Sequence, residues 1–328
     1  MTKNGRFGNR MRNKYEMMPF TADHLESAVK LFVESYVKER DSSPLLPSRV
    51  IDEPEWIHSS LNALVANPGV SILHRGQLVA FMLTGFQFPF KGQKAMQVPE
   101  YCHASILSDR KELYQIMYMR LADEWVESHI PLHIIAHFAH DTVLQAVLYR
   151  LGFGAIVAEQ LRDFSKVDGV RKVDIVEEAY VERLLDIEIE HTHYYRGAPI
   201  FVLKDTRRSD CLTALESAAR QGDTFLVYYE HNEPCAYLRV GESAAEGEGF
   251  LLRGTNTAQI KAAYARQHVR KTGIGKALLQ RAIDWSKEHG YERLFVEHET
   301  ANYFGGNFWS SYFTPYLYAS IRYIDNAI

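Results

Sequence analysis

The chain has few cysteines, no excess of positive charge and no long apolar run. Its three cysteines are an odd number without metal-site spacing, so we expect reduced thiols and no metal. A net charge of −4 argues against nucleic-acid binding. No run of about 18 apolar residues is present, which excludes a membrane-spanning helix. The basic residues 1–14 have no apolar core after them, so we expect an N-terminal arm on a cytoplasmic protein.

The length of 328 residues, 46% hydrophobic and 24% charged, indicates about two globular domains. The same order of elements, two helices followed by a β-hairpin, is predicted twice. Its first occurrence comprises helices over residues 20–40 and 55–66 and strands Val70–Leu73 and Leu78–Phe86. Its second occurrence comprises helices Val176–His193 and Arg208–Gln221 and strands Thr224–Tyr229 and Pro234–Val240.

Matching residues recur 160 positions apart, which indicates an internal duplication. Trp125 corresponds to Trp285, and Phe153 to Phe313. We therefore predict a first copy over residues 15–165 and a second over 172–328, joined by a linker at Arg162–Asp174. The expected fold class is α/β, with a mixed β-sheet flanked by helices in each copy.

A pair of glycines stands where a strand passes into a helix in the second copy. The strand is predicted over Gln259–Ala265, and Gly273 and Gly275 open the helix. Glycines let backbone N–H groups approach a ligand, and the helix N-terminus adds partial positive charge, so this is a candidate phosphate site. It lacks the spacing of a P-loop, and Leu278 replaces the third glycine of a dinucleotide fingerprint. The alternative is an ordinary turn whose glycines serve packing.

The pattern Arg270-x-x-Gly273-x-Gly275 resembles the acetyl-CoA loop of the GCN5-related N-acetyltransferase (GNAT) superfamily. The stretch Ala146-x-x-Tyr149-x-x-Gly152-Phe153 is similar to another element of that family, and in the second copy it is altered to Asn307-Phe308-Trp309-x-x-Tyr312-Phe313. The resemblance covers nearly the whole chain and implies a tandem GNAT protein with acetyl-CoA as co-substrate.

The resemblance implies a set of cofactor contacts in the second copy. The strand end would pair with the pantetheine arm, and N–H groups of the loop would hold the pyrophosphate. Asn302 stands where the family often places a cofactor contact, although it also suits a turn. The implied cofactor residues are Tyr264, Ala265, Arg270, Lys271, Thr272, Gly273, Ile274, Gly275, Lys276 and Asn302.

The corresponding loop of the first copy lacks both glycines. Leu113 and Gln115 occupy their positions, and their side chains would obstruct a pyrophosphate. Asp109 and Glu112 would repel it. We therefore expect the first copy to be degenerate and to serve a structural role.

Three residues are candidates for proton transfer. Trp309 stands where the family often has a tyrosine that acts as general acid. Tyr312, one turn away, is therefore the candidate acid. Glu297 and Glu299 alternate with Val296 and His298 on a predicted strand, and Glu297 is the candidate base. His193, which ends the same predicted helix as His191, is a second candidate base, acting through water. The alternative is that both histidines are surface residues at the helix end. Each also has a plain structural interpretation: aromatic packing, a solvated strand carboxylate and a helix-end histidine.

The predicted function is transfer of an acetyl group from acetyl-CoA to a primary amine, directly and in the C-terminal copy. We expect a small molecule or a peptide as acceptor, and a monomer or homodimer. The alternative is an acyl-CoA-binding sensor without catalysis, which the loss of the tyrosine at Trp309 favours. An aminoacyl-transferase using charged tRNA is a third possibility, but the acidic balance and the CoA-like loop count against it.

Overall fold

The structure, a computed structural model, describes residues 14–202, 206–243 and 249–324. These residues form two compact units. The first contains the chain up to Pro44, Ser48–Val157 and the C-terminal strand from Tyr316 onward, and the second contains Leu45–Pro47 and Ala158–Pro315. The predicted arm, residues 1–14, lies outside the described residues except for Lys14. The predicted boundaries of the duplicated segments stay a prediction.

The helices and strands follow in chain order. Up to residue 150 they are β1 (Glu16–Pro19), α1 (Leu25–Ser42), α2 (Arg49–Asp52), α3 (Pro54–Asn62), β2 (Gly69–His74), β3 (Gln77–Leu83), β4 (Phe86–Phe90), β5 (Gln93–Val98), β6 (His103–Ser105), α4 (Arg110–Glu127), β7 (Leu132–Phe138) and α5 (Thr142–Arg150). Beyond residue 150 they are β8 (Gly154–Arg162), β9 (Val176–Glu177), α6 (Leu185–Arg196), α7 (Arg208–Arg220), β10 (Thr224–Glu230), β11 (Glu233–Glu242), β12 (Thr257–Ala265), α8 (Ile274–Glu288), β13 (Arg293–Glu299), α9 (Tyr303–Ser310) and β14 (Thr314–Tyr323).

Both units combine antiparallel and parallel strand pairs. In the first unit, β1, β2, β3 and β6 are antiparallel neighbours, β5 runs parallel to β7, and β14 pairs antiparallel with β7. In the second unit, β9 to β12 form an antiparallel series and β12 runs parallel to β13, whose other neighbour is β8. This mixed arrangement confirms the predicted fold class.

The hairpin β10–β11 lies where the sequence predicts it. The helix predicted from Val176 begins later, however. Val176 and Glu177 instead pair with Val227 and Leu226 as a short edge strand, and helix α6 begins at Leu185. The backbone groups of Val176 and Glu177 pair with β10 instead of forming a helical turn. The apolar periodicity alone therefore predicts a helix start that is too early.

Helix α8 is amphipathic and covers the parallel strand pair of the second unit. Its buried residues recur at helical spacing and pack on residues of β11, β12 and β13. These residues are Ile274, Ala277, Leu278, Leu279, Ala282, Ile283, Trp285 and Ser286. The packing fixes the N-terminus of α8 at the end of β12, where the predicted phosphate site lies.

Candidate functional site

Strands β12 and β13 separate before they end. Their parallel register begins at Thr257 and Arg293 and ends at Ile260 and Val296, whereas β12 continues to Ala265. In the pairing of β12 with β11, Lys261 is an extra residue between Ile260 and Ala262. A β-bulge bends its strand and leaves backbone groups unpaired. The separation therefore opens a cleft, beginning at the bulge, with backbone edges on both sides.

A short loop connects β12 to α8 in a conformation that requires glycine at one point. A 3-10 turn covers Gln267–Val269, and the hydroxyl of Thr272 donates to the carbonyl oxygen of Val269 at 2.7 Å. Gly273, immediately before the helix, has a φ of 94°. A side chain at this φ is strained, so the loop depends on glycine here.

The start of α8 presents a series of backbone donors. The N–H of Ala277 donates to the carbonyl oxygen of Gly273 at 3.1 Å. Among the described residues, no acceptor is recorded for the six N–H groups from Lys271 to Lys276. With the partial positive charge of the helix end, such a series suits an anion such as a phosphate.

Arg270 ties the loop to the end of β12. Its Nε donates to the carbonyl oxygen of Ala265 at 2.8 Å, and its own N–H donates to Gln267. The guanidinium lies over the rings of Tyr194 and Tyr264, 5.1 and 5.4 Å from their centroids. Burial raises the pKa of Tyr264, and Arg270 opposes that rise. Arg270 therefore holds the rings of Tyr194 and Tyr264 together on one side of the cleft.

The segment predicted as a linker packs along α8. Lys276 Nζ donates to the carbonyl oxygen of Asp168 at 3.0 Å, and the N–H of Val167 donates to Gln280. A Cβ added to Gly273 would lie 3.2 Å from Cβ of Arg171. The Arg171 side chain therefore lies beside the residue that precedes α8, a contact with no local signature because Arg171 is far from the loop in sequence.

Gly275 is closely packed. A Cβ at this position would lie 3.3 Å from the ring of Phe308 in α9. The close approach of α9 to α8 therefore explains this glycine, as the packing alternative proposed, while the positive φ of Gly273 belongs to the loop itself.

Asn302 caps the helix that follows β13. Its Oδ1 accepts from the N–H of Gly305 at 3.0 Å and from the hydroxyl of Tyr194 at 2.8 Å. Asn302 as a whole is 6% exposed. Asn302 therefore joins the turn after β13 to helix α6 through Tyr194, whose ring also lies under the guanidinium of Arg270.

Glu297 is the first residue of β13 beyond the paired segment, and its side chain is half-buried. Glu299, on the same face of the strand by alternation, interacts with Tyr195. Burial, with Glu299 second, raises the pKa of the Tyr195 hydroxyl. Both carboxylates therefore face the side on which α6 packs.

The two histidines of α6 differ in surroundings. His191 is buried, and its Nδ1 lies 2.8 Å from the hydroxyl of Tyr237. That hydroxyl donates its proton to Glu188. Burial favours a higher pKa for Glu188, but hydrogen bonds from His191 and Tyr237 hold it below its usual value. His193 is exposed. The interpretation of both as surface residues is thus wrong for His191.

Trp309 and Tyr312 belong to an aromatic cluster at the end of α9. Trp309 is buried and packs against Phe308 and Phe313. Tyr312 is half-buried, packs on Phe308 and interacts electrostatically with Arg162. These contacts give both rings a packing role.

In the first unit, the start of the equivalent helix α4 is packed by its own side chains. Arg110 is buried and donates to Asp141 and to the carbonyl oxygen of Ser105. Leu113 is fully buried, and its N–H donates to Asp109. The positions that carry glycines in the second unit thus belong to packed helix here.

Residues 187–310 match the family model described as "Acetyltransferase (GNAT) family". The second unit carries a GNAT-family domain. The matched range contains the bulge, the N–H series and Asn302. The family match supports acyl transfer as the general chemistry. No curated protein matches the sequence.

Solved GNAT structures share the fold. A GCN5-related N-acetyltransferase from Sphaerobacter thermophilus is 12% identical, with a TM-score of 0.58 over 96% of this chain and 97% of that chain. A GCN5-related glucosamine N-acetyltransferase region in a fungal multi-domain β-N-acetylglucosaminidase is 13% identical, with a TM-score of 0.53 over 94% of this chain and 38% of that chain. The chain is therefore a tandem of two GNAT-like α/β units. In the described residues, no helix has the length and apolarity to span a membrane.

Proposed function

We propose that the protein is an acetyl-CoA-dependent N-acyltransferase whose reaction takes place in the second unit. The observation that carries this proposal is the N–H series of Lys271–Lys276 at the end of a strand that has separated from its neighbour, inside the GNAT match. The pyrophosphate would bind the series, with Lys271 and Arg171 nearby. Because the helix dipole and the cations act together, this end of the cleft selects a charged, phosphorylated carrier.

The pantetheine arm would run from the N–H series toward the bulge. Residues 262–265 of β12 lie beyond the segment paired with β13, so their backbone groups on that side can pair with the amides of the arm. Tyr264 and Ala265 end this edge, and Asn302 closes the opposite side. The thioester would then lie near Lys261, where the bulge frees a backbone donor for the developing oxyanion.

Glu297 is the proposed base. It is the first β13 residue beyond the last pair with β12, on the face toward α6, which is where an acceptor amine would approach the thioester. Removing the ammonium proton exposes the lone pair that attacks the carbonyl carbon, and the C–S bond breaks as the tetrahedral intermediate collapses. The ammonium proton passes to Glu297, CoA leaves as thiolate, and the nitrogen loses its second proton to solvent as the amide forms.

Tyr312 as acid and His193 as a water-mediated base stay predictions. A CoA thiolate leaves readily at neutral pH, so the reaction does not depend on an acid, and the tyrosine missing at Trp309 is compatible with turnover. The acceptor is proposed to be a primary amine on a small molecule or a peptide.

The test is turnover of acetyl-CoA with a panel of amines that includes glucosamine, polyamines, amino acids and peptide N-termini. We expect CoA release to depend on one class of amine and the acetylated product to appear in equal amount. Tight acetyl-CoA binding without turnover for any amine would favour the sensor alternative. If acetyl-CoA gave no thermal shift while an RNA did, the proposal would be wrong.

A further inference from the structure

Three side chains with different ligand atoms meet on one side of the second unit. They are Glu230 at the end of β10, Cys235 in β11 and His268 in the turn after β12. A carboxylate oxygen, the thiol sulfur and an imidazole nitrogen all lie within 4.8 Å of one another. His268 Nε2 is 3.2 Å from Oε2 of Glu230.

Local backbone features bring the three residues together. In the pairing of β10 with β11, Tyr228 faces Ala236 and Tyr229 faces Pro234, so Cys235 is the extra residue of a β-bulge. A bulge re-aims a side chain out of the regular alternation. The carbonyl oxygen of Cys235 accepts from the N–H of Arg266 at 2.9 Å, which anchors the turn that carries His268.

We propose that Glu230, Cys235 and His268 bind a divalent transition metal of the zinc class. Thiolate, imidazole and carboxylate are the ligands that zinc takes in proteins, and three protein ligands with one position left to water make a regular tetrahedral site. Ideal bond lengths put neighbouring ligand atoms roughly 3.3–3.6 Å apart. Small rotations of the exposed His268 and the half-buried Glu230 side chains reach that geometry from the observed spacing.

The surroundings orient two of the ligands. The Tyr228 hydroxyl donates to Oε1 of Glu230 at 2.9 Å, which leaves Oε2 toward His268. Such partners behind a ligand fix its orientation and support metal affinity. Two cations lie nearby: Arg266, which interacts with Cys235, and Arg171, which interacts with Tyr228. Glu190 neutralises Arg266 through contacts of 2.9 to 3.2 Å. Metal binding replaces the thiol proton of Cys235, which is released to solvent.

The metal would link the β10–β11 hairpin to the loop that carries the N–H series, since His268 lies two residues before Arg270. The spacing along the chain hides this site: its ligands come from three segments, and the second and third are 33 positions apart (235 and 268). The expectation that no metal binds was based only on the spacing of possible ligands along the sequence. The site is independent of the proposed acyl transfer.

The test uses the full chain without an affinity tag, in metal-free buffer with a phosphine reductant. Zn²⁺ binding is measured by competition with a chromophoric chelator, and Co²⁺ is used to record the thiolate-to-cobalt charge-transfer band. The variants are C235S and H268N, of which H268N changes an exposed side chain and spares the core. The matched controls are C211S, a buried thiol elsewhere in the same unit, and H231N, an exposed histidine on the hairpin turn.

We expect a single Zn²⁺ per chain, with affinity lowered at least about tenfold in H268N and in C235S. The cobalt band should disappear in C235S alone, and both controls should match the unaltered protein. Absence of Zn²⁺ binding, a cobalt spectrum without the thiolate band, or equal affinity in H268N and H231N would each overturn the proposal.

Discussion

The hydroxyl of Tyr194 donates a 2.8 Å hydrogen bond to Oδ1 of Asn302. The same oxygen caps helix α9 through the N–H of Gly305, and the ring of Tyr194 lies under the guanidinium of Arg270. One asparagine therefore connects α6, the turn after β13 and, through Tyr194, the loop of the N–H series.

This relationship predicts a stability difference between two substitutions at one position. N302A removes an acceptor used twice and should lower the free energy of unfolding by about 1–2 kcal/mol, whereas N302D keeps the acceptor and should cost less. Urea denaturation of both variants, with Y194F isolating the second bond, measures the difference. Equal stability of N302A and N302D would argue against the cap.

Charge removal at Glu297 should affect turnover and spare binding. E297Q keeps the shape of the side chain but cannot accept a proton, so we expect kcat/KM for acetyl transfer to fall by about 10²–10⁴-fold. The matched control is E299Q on the same face of β13. A loss of activity in E299Q with none in E297Q would move the base to Glu299, and unchanged rates in both would rule out a β13 carboxylate.

A core substitution in the first unit should leave cofactor affinity intact. Leu113 is fully buried, so L113A creates a cavity and should lower the free energy of unfolding of the first unit by about 2–5 kcal/mol. We expect acetyl-CoA to bind this variant, at a temperature where it is folded, as tightly as it binds the unaltered protein. The comparison variant is L279A, which truncates an equally buried leucine in the second unit. Weakened binding in L113A would contradict a structural role for the first copy.

The first unit should lose stability in mild acid. His103 Nδ1 lies 2.9 Å from the Tyr114 hydroxyl, and His133 Nδ1 lies 2.9 Å from the Tyr118 hydroxyl. Burial lowers the pKa of each imidazole from 6.5 to about 4. Both are therefore neutral in the folded state at a pH where the unfolded chain takes up protons.

Stability from these histidines is complete above about pH 6.5 and falls as the pH approaches 4, by about 1 kcal/mol per pH unit for each. Amide hydrogen exchange of helix α4, corrected for the intrinsic pH dependence of exchange, checks this. Protection of α4 that does not change between pH 7 and 5 would contradict it.

The sequence predicts the strands and helices that have clear periodicity or turn residues. The hairpin at Thr224–Val240 and the helix after Gly273 are examples, because alternation, turn residues and an amphipathic stripe each act locally. The predicted start of α6 is wrong. Val176 and Glu177 pair with β10, and such a contact across the sheet leaves no local pattern in the sequence.

The candidate site likewise has features that follow from the local sequence and features that depend on tertiary packing. Gly273 and the donor series follow from a contiguous motif. The bulge at Lys261, the approach of Arg171 and the bond from Tyr194 to Asn302 depend on tertiary packing and have no local signature. The burial of His191 was also missed, because its partner Tyr237 lies on β11, 46 residues away.

Two glycines at opposite ends of α8 offer the most direct test of the central claim, that the loop before this helix binds acetyl-CoA. Gly273 has a φ of 94° and Gly290 a φ of 77°, and a Cβ at Gly290 would meet no atom within 4 Å. G273A and G290A should each cost about 1–2 kcal/mol of stability through the left-handed conformation.

The measurement is the dissociation constant for acetyl-CoA by isothermal titration calorimetry. We predict that G273A weakens binding by at least about tenfold, equivalent to about 1.4 kcal/mol, and that G290A binds like the unaltered protein. Equal affinity in G273A and G290A, or no acetyl-CoA binding by the unaltered protein, would contradict the account.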